Sequence, residues 1–314
     1  MKQFLSIKDV LDPNRLVKEA LAFKANPFGY SSLGTNKTLG LLFFNASLRT
    51  RMSTQRAAQN LGMDVMVMNM DKDGWQLEFE DSLIMDSTRQ EHIKEAAAVI
   101  SQYCDIIGIR TFASLQNREE DYSERVINAF VQYASKPIIS LESATLHPLQ
   151  SLTDWVTIEE HKKKYKPKVV LSWAPHPKAL PQAVPNSFVQ WMKEAPIELV
   201  ITHPEGYELA PEFSSGVTIE CDQDKAFENA DFIYAKNWSS YVDYGKILSQ
   251  DRAWTITGEK MALTNGAAFM HCLPVRRNMV VSDVVLDHGH SLVIKQAENR
   301  IYAAQAVLKA ILER

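Results

Sequence analysis

A chain of 314 residues makes one large domain or two ordinary ones, at roughly 100–200 residues each, and can bury a core without disulfides or metals to staple it. Its composition, 46% hydrophobic, 23% charged and 9% aromatic, excludes a disordered, collagenous or coiled-coil protein. With 34 Lys and Arg against 38 Asp and Glu the net charge is -4, so no global basic field exists to hold nucleic acid by counterion release, and no apolar run approaches the ~20 residues that span a bilayer.

The opening stretch MKQFLSIKDVLDPNRLVKEA reads as a capped amphipathic helix, not a signal peptide, which points to the cytoplasm. Short apolar, β-branched runs then alternate with helical patterns. Strands are predicted at 38–44, 64–70, 105–111 and 136–142, with helices at 50–61, 92–103 and 123–134. A long helical pattern follows in HPLQSLTDWVTIEEHKKK, where Pro148 suits the first helical turn and the basic run HKKKYKPK (161–168) suits a solvated helix end. Further strands are predicted at 168–174, 197–204, 217–222, 231–237 and 267–274, with helices at 186–193 and 225–230 between them, and a last helix in ENRIYAAQAVLKAILER. The gaps have crossover lengths, so the fold class is α/β, with two domains each built on a central parallel sheet flanked by helices. The expected division is 1–146, 147–296 and a C-terminal helix, 297–314, that returns to the first domain. Cys104 and Cys221 read as small core residues, because both fall at strand-like positions and no C-x-x-C pair is present.

In open parallel sheets ligands bind beyond the carboxyl ends of strands. The first such place is FFNASLRTRMSTQ, where a strand ends at Phe44 and Arg49, Thr50 and Arg51 open a helix. Backbone N–H groups at a helix start, the hydroxyls of Ser47 and Thr50, and two guanidinium groups describe an anion site suited to phosphate; Arg51 alone reads equally as a helix-surface charge. The strand DIIGIR ends on Arg110 at the same sheet edge. LESATLHPLQ ends another strand on Glu142 and opens the long helix with His147 and Gln150 three residues apart, and so on one helical face. A His there can donate to a carbonyl oxygen that gains negative charge, and a Gln can fix an amide. Together these suggest a ligand with a phosphate and a carbonyl.

S-x-R-T-R after a strand, H-P-x-Q at the interdomain helix and H-C-L-P at His271–Pro274 together resemble the aspartate/ornithine transcarbamylase family, over essentially the whole chain. The resemblance implies a first domain that holds carbamoyl phosphate, a second that holds an amine acceptor, and a homotrimer with active sites shared between subunits. Carried over by motif, Ser47, Leu48, Arg49 and Thr50 cradle the phosphate; Arg110, His147 and Gln150 surround the carbamoyl group; Cys272 and Leu273 offer it backbone carbonyls. The S-M-G loop for a free amino acid is replaced by AKNWSSYVDYG, and H-P-L-P by HCLP. DKDGWQLEFEDSLIMDSTRQEHIKEA, WAPHPKALPQAVPNS and FIYAKNW resemble the branch that acts on Nα-acylated ornithine, in which Glu142, His176, Lys236, Arg276 and Arg300 line the site and Trp75 joins from the adjacent chain.

An acylated α-nitrogen carries no charge, so the acceptor's carboxylates call for cations, and Lys236 and Arg276 each follow a strand at the right edge. Taken alone, Lys236 reads equally as a surface cap and Arg300 as a helix-opening charge, whereas His176, in a Pro-rich loop, is hard to explain by core packing. In that branch the position matching Gln90 is Glu in acetyl-specific and Pro in succinyl-specific enzymes. Neutral Gln90 does not repel a succinyl carboxylate; Lys260 in GEKMALTN, by contrast, resembles the acetyl type. The expectation is carbamoyl transfer to the δ-amine of N-succinylornithine in arginine biosynthesis, without metal, cofactor, nucleic-acid or membrane partner. N-acetylornithine is the alternative acceptor, and a silent binding relative the alternative class.

Overall fold

The apolar runs form two parallel sheets in the computed structural model, which describes residues 1–314. The first half contains β1 (Thr38–Phe43), β2 (Asp64–Asn69), β3 (Leu77–Glu78), β4 (Glu91–His92), β5 (Ile106–Arg110) and β6 (Ile138–Glu142). Four of these make a sheet in the order β2-β1-β5-β6, and β3 pairs separately with β4. The second half contains β7 (Lys168–Ala174), β8 (Glu198–Thr202), β9 (Thr218–Glu220), β10 (Phe232–Asn237) and β11 (Ala268–Met270), ordered β11-β10-β7-β8-β9. β5, β6 and β10 are buried along their whole length, which is why they read as continuous apolar runs without alternation.

Helices cross between the strands. Arg49–Asn60 joins β1 to β2 and ends where Gly62 takes φ +80, a left-handed turn in which a Cβ would meet the Ser31 carbonyl oxygen at 2.1 Å. Ile93–Tyr103 and Arg125–Tyr133 pack on the first sheet with Ile93, Ala97, Ile127 and Phe130 inward. In the second half Ala183–Met192 and Gln223–Phe227 serve the same purpose. Each fully buried Phe, such as Phe130 or Phe269, contributes roughly 1.5–3 kcal/mol, so these cores dominate stability.

The chain divides into two units. The first comprises residues 1–114, 119–149 and 300–314; the second comprises 115–118 and 150–299. The divisions at 149/150 and 299/300 fall inside the helices Pro148–His161 and Val293–Leu312. The end of the last helix is bound within the first unit: Asn60 donates to Gln305 (3.0 Å), Gln305 to the Pro27 carbonyl (2.8 Å), and Lys309 pairs with Glu19 (2.8 Å) above the Tyr30 ring. No helix is long and apolar enough to cross a membrane.

Three expectations are corrected. The first twelve residues are not helical beyond a single 3-10 turn at Ile7–Asp9; the helix is Pro13–Ala25, because Asp12 accepts from the Arg15 N–H and Pro13 takes the first turn. Cys221 is exposed, since β9 ends at Glu220 and the chain turns out to the Asp222 helix cap, whereas Cys104 is buried among Leu42, Ile107 and Phe130, and burial pushes its thiol up. The strand expected at 267–274 stops at Met270.

Candidate active site

Parallel register sets the first cluster. Phe43 lies beside Arg110, and Arg110 beside Glu142, so the ends of β1, β5 and β6 meet at one edge. Arg110 pairs with Glu142 through Nη1 and also donates to Thr50 Oγ1 at 3.3 Å; its guanidinium stacks over Phe112 with 4.6 Å to the ring centre. His147 Nε2 lies 3.4 Å from the same Glu142 carboxylate. Arg300 Nη2 donates to Thr50 Oγ1 at 2.6 Å. Thr50, Arg110, Glu142, His147 and Arg300 are all buried.

Thr50 therefore accepts from two guanidinium groups and keeps its own O–H to donate. It stands in the first turn of Arg49–Asn60, whose preceding residue, Leu48, makes no side-chain cap bond. An uncapped helix start flanked by arginines and a hydroxyl is chemically an oxyanion site. Arg51, the residue with two readings, turns to Asn69 (3.1 Å) and stacks on Phe43.

The second unit carries another cluster. Lys236, next to last in β10, is buried and donates to the Cys272 sulfur at 3.5 Å. Arg276 is exposed and donates through Nε to His176 Nε2 at 3.2 Å, while His176 Nδ1 lies 2.7 Å from the Lys178 carbonyl. Those partners fix His176 as the neutral tautomer with its proton on Nδ1. Burial, and after it the nearby Arg276 and Lys236, hold its pKa below the usual imidazole value of 6.5. Leu273 has φ +55, and its N–H donates to His271 Nδ1 at 2.9 Å, which places the ring proton of His271 on Nε2. Gln150 donates to Asp154 at 2.7 Å.

Trp75 and Gln90 lie on the exposed segment around β3 and β4 and are bonded within it: Trp75 Nε1 donates to Glu91 (2.8 Å), and the Gln90 N–H to the Gln76 carbonyl (3.2 Å). Lys260 is bound to Gln223, to the Ala253 carbonyl (2.5 Å) and to Asp224 (3.5 Å). No group of three or more His, Cys, Asp or Glu side chains is set to hold a metal ion.

Three residues the motifs did not reveal support these clusters. Glu124, itself left-handed at φ +51, accepts from Ser143 Oγ (2.6 Å) and from the N–H groups of Ala144 (3.3 Å) and Thr145 (2.7 Å), and so fixes the turn between Glu142 and His147. Asp154 and Gln296 brace the second cluster, Gln296 donating to Asp154 at 2.7 Å and accepting from the His271 N–H at 3.0 Å. The spacing Gln150-x-x-x-Asp154 was a visible signal for one contact, whereas the Gln296 and Glu124 contacts bridge sequence distances that periodicity does not reach.

Residues 2–160 match the family described as aspartate/ornithine carbamoyltransferase, carbamoyl-P binding domain, and residues 182–311 match its Asp/Orn binding domain. The chain is 55% identical to an N-succinylornithine carbamoyltransferase of Bacteroides fragilis, over 100% of this chain and 99% of the relative, and 54% identical, with the same coverage, to that of Bacteroides thetaiotaomicron. It is 35% identical to an N-acetylornithine carbamoyltransferase of Xylella fastidiosa, over 99% and 98%. Among solved structures it resembles a mutant N-acetyl-L-ornithine transcarbamylase complexed with carbamyl phosphate and N-succinyl-L-norvaline, with TM-score 0.93, 32% identity and 99% and 100% of the two chains covered. An acetylornithine transcarbamylase complexed with acetylcitrulline aligns with TM-score 0.91, 33% identity and 99% of each chain.

Proposed function

The chain belongs to the aspartate/ornithine carbamoyltransferase family, and from that premise we propose that it moves the carbamoyl group of carbamoyl phosphate to the δ-amine of N-succinyl-L-ornithine, giving N-succinyl-L-citrulline and phosphate in arginine biosynthesis. The observation that carries the acceptor is the full-length identity of 54–55% to N-succinylornithine carbamoyltransferases, against 35% to an N-acetylornithine enzyme. Neutral Gln90 agrees with it, since a Glu there would repel the second carboxylate of a succinyl group.

The roles follow from charge and hydrogen-bonding capacity. Ser47, Leu48, Arg49 and Thr50, with the N–H groups opening Arg49–Asn60, hold the phosphate, and Arg300 steadies it through Thr50. The neutral δ-amine attacks the carbamoyl carbon; Arg110, His147 and Thr50 stabilise the tetrahedral oxyanion. As the C–O bond to phosphate breaks, Arg49 stabilises the departing dianion, which takes the amine's proton. Gln150 and the backbone carbonyls of Cys272 and Leu273 bind the carbamoyl –NH2. Glu142, His176, Lys236, Arg276 and Gln90 receive the acceptor, the cations meeting its carboxylates. The rate gain in this scheme comes from positioning and electrostatics. The reading includes a cytoplasmic location and a homotrimer in which Trp75 completes a neighbour's site.

The test is ureido-product formation from carbamoyl phosphate with ornithine, N-acetylornithine, N-succinylornithine and putrescine in parallel. Preference for N-succinylornithine is the expected result. Preference for N-acetylornithine overturns the acceptor, and no product with any amine overturns the enzyme in favour of a binding relative.

A further inference from the structure

His176 and Lys236 stand where two neighbouring strands of the second unit end, so their spacing depends on what ties those strand ends together. The segment after β7 reads Ala174-Pro175-His176-Pro177-Lys178. Pro175 and Pro177 carry no N–H, and each holds the residue before it in extended backbone, so the anchoring of this segment falls largely on its carbonyls. Two of those carbonyls go to one residue. Trp238, just beyond β10, donates its backbone N–H to the Ala174 carbonyl at 3.1 Å and its indole Nε1–H to the His176 carbonyl at 3.3 Å. Trp238 comes two residues after the buried Lys236, so the residue that grips the His176 segment at two points also continues the strand that carries the lysine.

The indole is itself held on its face. Trp238 is fully buried and stacks on Tyr207, with 5.2 Å between ring centres and 15° between the planes. Tyr207 is fixed at both ends: its hydroxyl oxygen accepts from the N–H groups of Leu248 (2.7 Å) and Ser249 (3.0 Å), and its carbonyl accepts from Trp173 Nε1 at 2.6 Å. Trp173 in turn lies beside Lys236 in the register of β7 with β10. Gln182 adds a cross-tie, donating to the carbonyls of Glu208 (3.1 Å) and Ser239 (2.9 Å), each next in sequence to one ring of the stack. At the far end of these contacts His176 Nε2 accepts from Arg276 Nε at 3.2 Å, so a His176 backbone that drifts carries away the partner of Arg276 as well.

We propose that Trp238 is the positioning residue that sets His176 and its Arg276 partner against Lys236, so that binding of the acylated acceptor depends on one indole N–H whereas binding of carbamoyl phosphate does not. The inference rests on the reading of His176, Lys236 and Arg276 as acceptor groups and adds the residue that fixes their spacing. Trp238 is fully buried and acts through His176. Trp238→Phe isolates the bond, because phenylalanine keeps an aromatic face against Tyr207 and loses the donor.

The experiment uses the full-length enzyme and measures kcat, KM for the acylated ornithine it prefers, KM for carbamoyl phosphate, and thermal unfolding, for the parent, Trp238→Phe, His176→Ala and the double variant. The expected result in W238F is a rise in acceptor KM of about five- to tenfold, the effect of one lost hydrogen bond to a buried carbonyl. KM for carbamoyl phosphate and kcat at saturation should stay within about twofold, the pattern of lost ground-state binding of one substrate. In the His176→Ala background the same substitution should add less than about twofold, because the two residues act as a unit. Tyr207→Leu, which keeps the indole N–H but removes the ring that holds it in plane, should raise the acceptor KM selectively by about two- to threefold and serves if W238F does not fold. An unchanged acceptor KM in the folded variants, a rise shared equally by both substrates, or a W238F effect that multiplies in full onto His176→Ala overturns the proposal and leaves Trp238 as core packing. A parent enzyme that forms no ureido product with any amine overturns the function reading itself, a result distinct from normal turnover in which W238F matches the parent.

Discussion

The two units present cations in opposite ways. In the first, Arg110 is buried against the Glu142 carboxylate, and the same carboxylate lies 3.4 Å from His147. In the second, Lys236 lies against a thiol sulfur and Arg276 against a neutral imidazole. A buried cation with a charged partner is structurally committed, because removing either side leaves an uncompensated charge. A cation whose partners are neutral retains its full field for an incoming carboxylate. The first arrangement suits a preassembled site for a small rigid anion, and the second suits an acceptor that supplies the counter-charge itself. Arg277 sharpens the point: next to Arg276 in sequence, it is tied to Asp283 (2.7 Å) and to both oxygens of Asp287, and so has no charge to offer.

The largest effect is expected at the committed pair. Arg110→Ala leaves Glu142 buried without its guanidinium; it should lower unfolding stability by about 3–5 kcal/mol and turnover by about 10²–10³-fold, read by denaturant unfolding and initial rates. A variant as stable as the parent would break the contrast at its first term. Lys236→Met should behave differently, raising KM for the acylated acceptor about tenfold while stability holds or improves, because the substitution removes a buried charge that has no charged partner. If calorimetry instead shows a loss like that of Arg110→Ala, Lys236 is structural.

The third expectation concerns pH. The folded pKa of His176 lies below 6.5, so the neutral ring is favoured by the fold; its contribution is complete above 6.5 and is lost as pH falls from there toward the folded value, where the unfolded chain binds the proton first. Protonation of Nε2 also removes the acceptor for Arg276. KM for the acceptor should rise in that acid range while KM for carbamoyl phosphate stays flat, and His176→Asn should abolish this limb of the profile. The smallest effect belongs to Gln90→Glu, on the exposed segment. It should shift preference from succinylated toward acetylated ornithine by about fivefold or less, as befits solvent-screened charges. A competition assay with both acceptors reads it directly.

Much of this was legible because the signals were local. The run FFNASLRTR announces a strand end and a helix start within a few residues, so Arg49 and Thr50 were placed by sequence, and the ends of β5 and β6 placed Arg110 and Glu142 at the same edge. What periodicity could not supply was pairing. Nothing in DIIGIR or KPIISLE says that Arg110 and Glu142 neutralise each other, because that contact depends on strand order and register. Glu124 and Asp154 read as ordinary helix charges until their partners are known. Cys221 was misread because the apolar alternation of VTIECD runs one residue past the strand, and the amino terminus because its apolar spacing outweighed the stronger Asp12-Pro13 stop-and-start signal.

Thr50 is tied to Arg300 across 250 positions of the chain. During synthesis, therefore, the first unit can gather Thr50, Arg110 and Glu142 long before the guanidinium from the last helix exists. A nascent chain lacking that helix holds the Thr50 cluster unfinished, so the hydroxyl at its centre receives its second donor only after Arg300 has been made.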